Sequence, residues 1–424
     1  MATSLNGKSI VEIMKVHRGQ CLFSNDGLEL EYEDLVETVE EFGKQLSSIE
    51  MKNNKICALV LPNGVDMAIS FLDIANYVTV SPLNPNYTKE EFLFFLKDLD
   101  CEFIITDNNA SNSLLEAAKQ LKIKLFYLNN YSSKNKLSIK SLSTPSKCLL
   151  DQNKADDICL ILHTSGTTSR PKQVQLSCMN IISSALNIAR VLQLEKKDKG
   201  MNIMPLFHIH GLIASLLSSI VTGSSVVCTS GFNALTFYGN IKNFKPTWIT
   251  AVPTMYQAIL SRASRNKEII QASSLRLLRS SSAAMPVATI EALENAFHCP
   301  VIEAYGMTEA SHQMASNYLD SVRKPGSVGK SAGPEIALFR DDKLITVANT
   351  EGEIVIRGSN VTKGYKNNDK ANKENFFDGW FKTGDLGKFD EDGFLFISGR
   401  IKEIINKGGE KISPQEVDEA LMKH

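Results

Sequence analysis

Residues 158–172 read ICLILHTSGTTSRPK, an apolar run that passes straight into a loop of small and hydroxyl-bearing residues. An unbroken apolar run of strand length marks a strand buried on both faces, as in a parallel sheet covered by helices. Upstream, residues 56–61 (ICALVL) form a second such run, and 65–77 read as a helix after Asn63-Gly64. Thr88 with Glu91 makes a capping box ahead of Phe92, Phe94, Phe95 and Leu96, so a further helix starts there. Strands at 101–106 and 123–128 flank a helix at 113–121. Beyond the loop come a helix at 180–194 and three strand–helix pairs: 225–229 with 234–243, 247–250 with 254–262, and 275–279 with 287–297. The alternation predicts an α/β protein of doubly wound, mostly parallel sheets.

Past about residue 325 the pattern changes. Short strands at 335–339, 352–356 and 394–397 are separated by charged turns such as Asp341-Asp342, which suits a small antiparallel β subdomain at 325–399. Residues 129–147 are polar and rich in Ser, Asn and Lys, and read as a surface loop. Lys and Arg number 46 against 47 Asp and Glu, so the chain lacks the basic footprint of a nucleic-acid binder. The eight cysteines stand singly with no C-x-x-C pair, which excludes zinc-site spacing and suits a reducing cytosol. No Asp, Glu, Lys or Arg occurs between Gly200 and Ile241. The longest apolar run inside that stretch, 211–223, is too short to span a bilayer and reads as a buried helix. No secretory leader is visible, and the expected location is cytoplasmic.

The loop Thr164-Ser165-Gly166-Thr167-Thr168-Ser169-Arg170-Pro171-Lys172 offers backbone N–H groups, hydroxyls and one ammonium, the donors that phosphate oxygens need. It is not a Walker A loop, because Pro171 stands where the second glycine belongs and Gln173 follows the lysine. By composition alone it reads equally well as a Ser/Thr-rich surface turn.

Five segments in order carry a resemblance: this loop, Pro205-Leu206-Phe207-His208, Ala304-Tyr305-Gly306-Met307-Thr308-Glu309, Phe381-Lys382-Thr383-Gly384-Asp385 and Gly399-Arg400-Ile401-Lys402. Together they resemble the adenylate-forming superfamily of acyl-CoA synthetases, luciferases and peptide-synthetase adenylation domains. The variant HTSGTTSRPK, with PLFHIHGL, RSSSAAMP and MTEASH, is most similar to the oxalate–CoA ligase branch, near the 4-coumarate–CoA ligases. Two positions depart from the family pattern, Ser169 and Gln173, where glycine is usual. Gln173 puts the flexibility of the loop in doubt.

The resemblance implies an ATP-dependent acid–CoA ligase that activates a small carboxylic acid as its acyl-adenylate, with CoA as acceptor and Mg²⁺ on the nucleotide. Thr164 to Thr168 and Lys172 would hold phosphate, His208 would gate the path to it, Thr308 would present a hydroxyl and Glu309 the metal ligand. Ala283, Ala284, Tyr305, Gly306 and Met307 would form the adenine site, while Asp385 and Arg400 serve the ribose and hinge. A carboxylate has two acceptor oxygens, which suits Asp385 to a diol. His208, His210, Ser281, Ser282 and His312 would line the acid pocket, and Gly408 and Gly409 would face CoA. Outside the motif set, Glu309 reads as a carboxylate at a helix start and Asp385 as a turn residue.

The implied organisation is an N-terminal domain over 1–399, then a hinge and the first part of a mobile C-terminal domain over 400–424. A chain ending there is expected to bind nucleotide but to transfer poorly to CoA. Three alternatives stay open. An amino-acid-activating domain is disfavoured because 234–238 offers no acid for an ammonium. The others are a ligase for other short-chain or aromatic acids and a non-catalytic nucleotide-binding module.

Overall fold

The computed structural model describes residues 7–49, 55–130, 138–139, 150–164, 171–345, 347–403, 405–407, 410–412 and 414. Two large sheets carry the alternation. The first has seven strands in the spatial order 138–139, 124–129, 103–106, 56–60, 79–82, 158–163 and 173–177. The second has nine, in the order 330–331, 312–316, 301–307, 277–280, 248–251, 199–202, 225–228, 20–24 and 29–31. Central pairs in both are parallel, and the antiparallel partners sit at the edges. A third, antiparallel sheet of six strands spans 335–400 with its connections, where the charged turns predict it.

The expected helix after the phosphate loop begins earlier, at Cys178–Val191, because an unforeseen strand, Gln173–Ser177, intervenes. That strand pairs antiparallel with Ile158–His163, so the loop is the tip of a hairpin and not a strand-to-helix turn. Ser177 caps the helix: its hydroxyl accepts from Asn180 N–H at 3.2 Å, and the Asn180 side-chain oxygen accepts from Ser177 N–H at 2.9 Å.

The charge-free stretch is buried where the main core lies. Leu212, Ile213, Leu216 and Leu217 are fully inaccessible. Their segment, His210–Leu217, is wound as a π-helix in place of the expected α-helix. A Cβ on Gly211 would lie 2.2 Å from the Pro205 carbonyl oxygen, so only glycine lets this helix start against the preceding chain. No helix among the described residues is long and apolar enough to cross a membrane. The seven described cysteines are all free and buried.

One strap of irregular chain, residues 358–366, joins the antiparallel sheet to the other two. Asn180 Nδ2 donates to the carbonyls of Ser359 and Val361 at 2.7 and 3.0 Å. Asn360 Nδ2 donates to those of Ala310 and Gln313 at 2.9 and 2.8 Å. Thr362 N–H reaches the Glu309 carbonyl at 2.7 Å, and Lys366 N–H reaches that of Gln173 at 3.0 Å.

Asn360→Ala should strand both carbonyls, at about 1–3 kcal/mol each. Its urea midpoint should fall with an unchanged slope; an unaltered midpoint would show that the strap is held elsewhere.

Candidate active site

The hairpin 158–177 positions the phosphate loop. Its neck is closed by Thr164 N–H to the Lys172 carbonyl at 3.0 Å, with Lys172 N–H 3.4 Å from Thr164 Oγ1. Ser165, Gly166, Thr167 and Thr168 of the expected phosphate set, and Gly408 and Gly409 of the expected CoA set, lie outside the described residues. Gln173 anchors the neck: its amide nitrogen donates to Asp98 O at 2.6 Å and to Asp98 Oδ2 at 2.8 Å. His163 Nε2 stands 3.1 Å from the same carboxylate. The residue that departs from the family pattern thus ties the loop base to the helix Lys89–Leu99.

Across the strap, Lys172 and Glu309 meet at Tyr365. The Lys172 ammonium lies 4.5 Å above the Tyr365 ring, and the Tyr365 hydroxyl donates to Glu309 Oε1 at 2.8 Å. Burial lowers the pKa of Lys172 and raises that of Glu309, each against the pull of the other's charge. Glu309 sits in a single 3₁₀ turn, Thr308–Ala310, with Thr308 beside it. A lone buried carboxylate next to a phosphate loop suits Mg²⁺, which takes one or two protein oxygens and otherwise binds phosphate and water. Tyr365 was not foreseen, and nothing in Gly364-Tyr365-Lys366 sets it apart in the sequence.

The expected adenine and ribose residues form one unit. The buried Tyr305 donates its hydroxyl to Asp385 Oδ2, and Arg400 Nε donates to Asp385 Oδ1 at 2.9 Å. Asp385 and Arg400 are paired across adjacent strands, Trp380–Phe389 and Leu395–Arg400. Gly306 is sterically required, since a Cβ there would lie 1.9 Å from the His312 carbonyl oxygen. Ala283 and Ala284 are exposed after the strand Leu277–Ser280, while Met307 is half-buried.

Of the expected acid-pocket residues, three come together. The His210 and His312 rings stack with centroids 4.6 Å apart, and His210 Nδ1 lies 3.0 Å from Ser282 Oγ. His210 Nε2 is 2.6 Å from Thr250 Oγ1. Ser282 is exposed with φ 75°, and His312 adopts φ 96°, strained backbone of the kind found at binding sites. Ser281 does not join them. Its hydroxyl donates to the Ala304 carbonyl at 2.8 Å, leaving no proton for a carboxylate. The His208 ring is exposed beside Phe207, at 4.7 Å between centroids. Among the described residues, no side-chain hydrogen bond links it to the stacked pair.

Beneath the pair lies Arg279, fully buried and absent from the sequence-based site. Its Nη1 donates to Thr250 Oγ1 and His312 Nε2, both at 3.2 Å, and Nη2 donates to Gln313 Oε1 at 3.2 Å. An arginine always donates, so His312 Nε2 accepts and the ring proton sits on Nδ1. Burial first, and then the Arg279 charge, hold both imidazoles neutral well below the ordinary histidine value of 6.5. The available signal was a charge placed inside an otherwise apolar strand, LLRS.

Folded pKa values below 6.5 mean that the unfolded chain takes up protons first, so stability falls as pH drops through 6.5. His312→Gln should remove about 1 kcal/mol of the stability lost between about pH 7.5 and 5.5. Urea titrations at both pH values check this; equal losses in parent and variant would show that His312 is charged in the fold.

A family model for AMP-binding enzymes matches residues 14–366. The oxalate–CoA ligase of Arabidopsis thaliana is 44% identical over 401 residues, covering 92% of this chain and 77% of that protein. That of Saccharomyces cerevisiae is 40% identical, covering 87% of this chain and 72% of its own length. Among solved structures, O-succinylbenzoate coenzyme A synthetase from Bacillus subtilis, in complex with ATP and magnesium ion, superposes with a TM-score of 0.84. It is 28% identical and matches 98% of this chain and 84% of the other. With five ordered motifs folded around one cleft, these matches establish that the chain belongs to the AMP-binding enzyme family, the adenylate-forming superfamily.

Proposed function

We propose that the acid activated by this AMP-forming acid–CoA ligase is oxalate. A carboxylate is a poor acyl donor because oxide is a poor leaving group, so the superfamily chemistry proceeds in two steps. First, an acid oxygen bonds to the α-phosphorus of ATP while the bond to the β-phosphate oxygen breaks and pyrophosphate leaves. Then the CoA sulfur, its proton lost, bonds to the acyl carbon as the carbon–oxygen bond to AMP breaks.

The roles of individual residues are part of the proposal. Lys172 with the loop amides compensates charge on the triphosphate, and Thr308 adds a hydroxyl. Glu309, steadied by Tyr365, holds Mg²⁺, which supplies charge neutralisation on the phosphates when bound. Tyr305, Gly306, Met307, Ala283 and Ala284 receive adenine, Asp385 takes the ribose hydroxyls, and Arg400 orients Asp385. His208 stands at the entrance. We place the boundary between the main body and the hinge at 399/400, where Arg400 ends the last strand. Free buried thiols suit a reducing compartment, and we place the protein in the cytoplasm.

The observation that carries the substrate is the buried polar pocket of His210, His312 and Ser282. An alkyl chain would leave these groups unpaired at roughly 1–3 kcal/mol each. A second carboxylate would satisfy them. The 44% and 40% identities to oxalate–CoA ligases support the same acid.

Acid-dependent ATP–pyrophosphate exchange tests the reading. Oxalate should outrank acetate, octanoate and coumarate, and a higher rank for any of those three would refute oxalate. In the same assay, Lys172→Ala should weaken ATP about 10- to 100-fold, equivalent to about 1.5–3 kcal/mol for a charge-assisted contact. Unchanged ATP dependence would reduce the loop to a turn.

A further inference from the structure

Arg279 is a buried cation without a buried anion. It is among the largest side chains with essentially no accessible surface, and its Nε has no hydrogen-bond partner. The three acceptors that it does have, Thr250 Oγ1, His312 Nε2 and Gln313 Oε1, are all neutral. No ion pair to Arg279 is found among the described residues. The nearest carboxylate along the sheet is Glu303, whose strand neighbour in register is Ser280. Since faces alternate along a strand, Glu303 occupies the opposite face from Arg279, where it accepts from Gly326 N–H at 3.2 Å. The other titratable groups near Arg279 are the neutral His210 and His312 and the Tyr256 hydroxyl, which donates to the Arg279 carbonyl at 2.8 Å.

The same chain shows what it does with a guanidinium that serves only the fold. Three residues earlier, Arg276 forms a two-pronged pair with Asp198 at 2.7 and 2.8 Å and also donates to the carbonyls of Leu192 and Gln193. A buried charge left uncompensated is costly, and proteins ordinarily pair it in this way. Arg279 keeps its charge at neutral pH, since burial lowers its pKa only to about 10. From it a polar chain leads outward through Thr250 and His210 to the exposed Ser282, and through His312 to the stacked ring face.

We infer that Arg279 is the specificity-determining cation of the acid pocket, the counter-charge for the second carboxylate of a dianionic substrate. Resting on the acid–CoA ligase reading, the inference names the residue that selects two charges over one. Arg279 acts as a positioning residue. It fixes the proton of His312 on Nδ1, holds Thr250 for His210, and supplies the only full positive charge at the foot of the pocket among the described residues. The imidazole and hydroxyl groups make the contacts; the guanidinium sets the charge state that those contacts accept.

Substrate pairs of equal size that differ by one charge test this: oxalate against oxamate, and malonate against malonamate. Each is titrated calorimetrically into the full chain saturated with α,β-methylene-ATP. The parent should bind the dianion more tightly in at least one pair. Arg279→Met should weaken that dianion about thirtyfold or more and bring the pair to near equality. The affinity for the ATP analogue should stay within about twofold, since Arg279 is remote in role from the nucleotide. Arg279→Lys should retain the dianion preference, because the charge is conserved. If Arg279→Met does not fold, Arg279→Gln, neutral but able to hydrogen-bond, gives the same reading.

A variant that folds, binds the analogue and keeps the parent's dianion preference overturns the role of Arg279. A parent that prefers malonate to oxalate refutes oxalate as the substrate, and the malonate pair then decides the case of Arg279. A parent that prefers the monoanion in both pairs overturns both.

Discussion

The strap 358–366 is the constraint on which the site depends. Lys172 and Glu309 lie far apart in sequence and on different sheets, and neither sheet's own hydrogen bonding brings them together. The strap does so by backbone bonds to both: Lys366 N–H to Gln173 and Thr362 N–H to Glu309. Tyr365, between those two anchors, then occupies the space where ammonium and carboxylate would otherwise meet directly. Its ring takes the cation and its hydroxyl takes the anion. A direct contact would neutralise both groups and leave neither for phosphate or metal. Held apart by a ring, each keeps its capacity to bind.

The acid pocket is built on a different principle. Its imidazoles are kept neutral by burial and by a nearby cation, so their hydrogen bonds have fixed direction. His312 presents its Nδ1 proton because Nε2 is occupied by Arg279. The strained backbone at His312 and the absence of a Cβ at Gly306 are two sides of one close approach, between the strand 301–307 and the strand that returns along it. Such a cluster is rigid, and rigidity favours discrimination between acids over tolerance of many.

Much of this was legible in the sequence, for identifiable reasons. The βαβ alternation and the β-rich end follow from hydrophobic period and turn residues, which are local properties. The motif residues were found because chemistry fixes them in order along the chain. What was missed depends on contacts distant in sequence. Gln173–Ser177 pairs with a strand already assigned, and its alternation was masked by its place beside the loop. The π-winding of His210–Leu217 depends on Gly211 passing the Pro205 carbonyl, which no period in the sequence encodes. Tyr365 and Arg279 owe their places to partners on other elements. Ser281 looked equivalent to Ser282 by composition, but alternation along the chain turned one toward a carbonyl and the other toward His210.

Asp385 has both carboxylate oxygens engaged, by Tyr305 on one side and by Arg400 on the other. Tyr305 is buried, whereas the Arg400 side chain is 47% exposed and ends the final strand of its sheet. A ribose diol arriving at Asp385, as proposed, must share or replace the exposed partner. Occupancy of the nucleotide cleft and the position of the chain at residue 400 are then conjugate quantities. Whatever draws Arg400 away strengthens the diol's hold by some factor, and the diol loosens Arg400 by that same factor. One ion pair at a strand end thereby makes the chain leaving the sheet a reciprocal gauge of what the cleft contains.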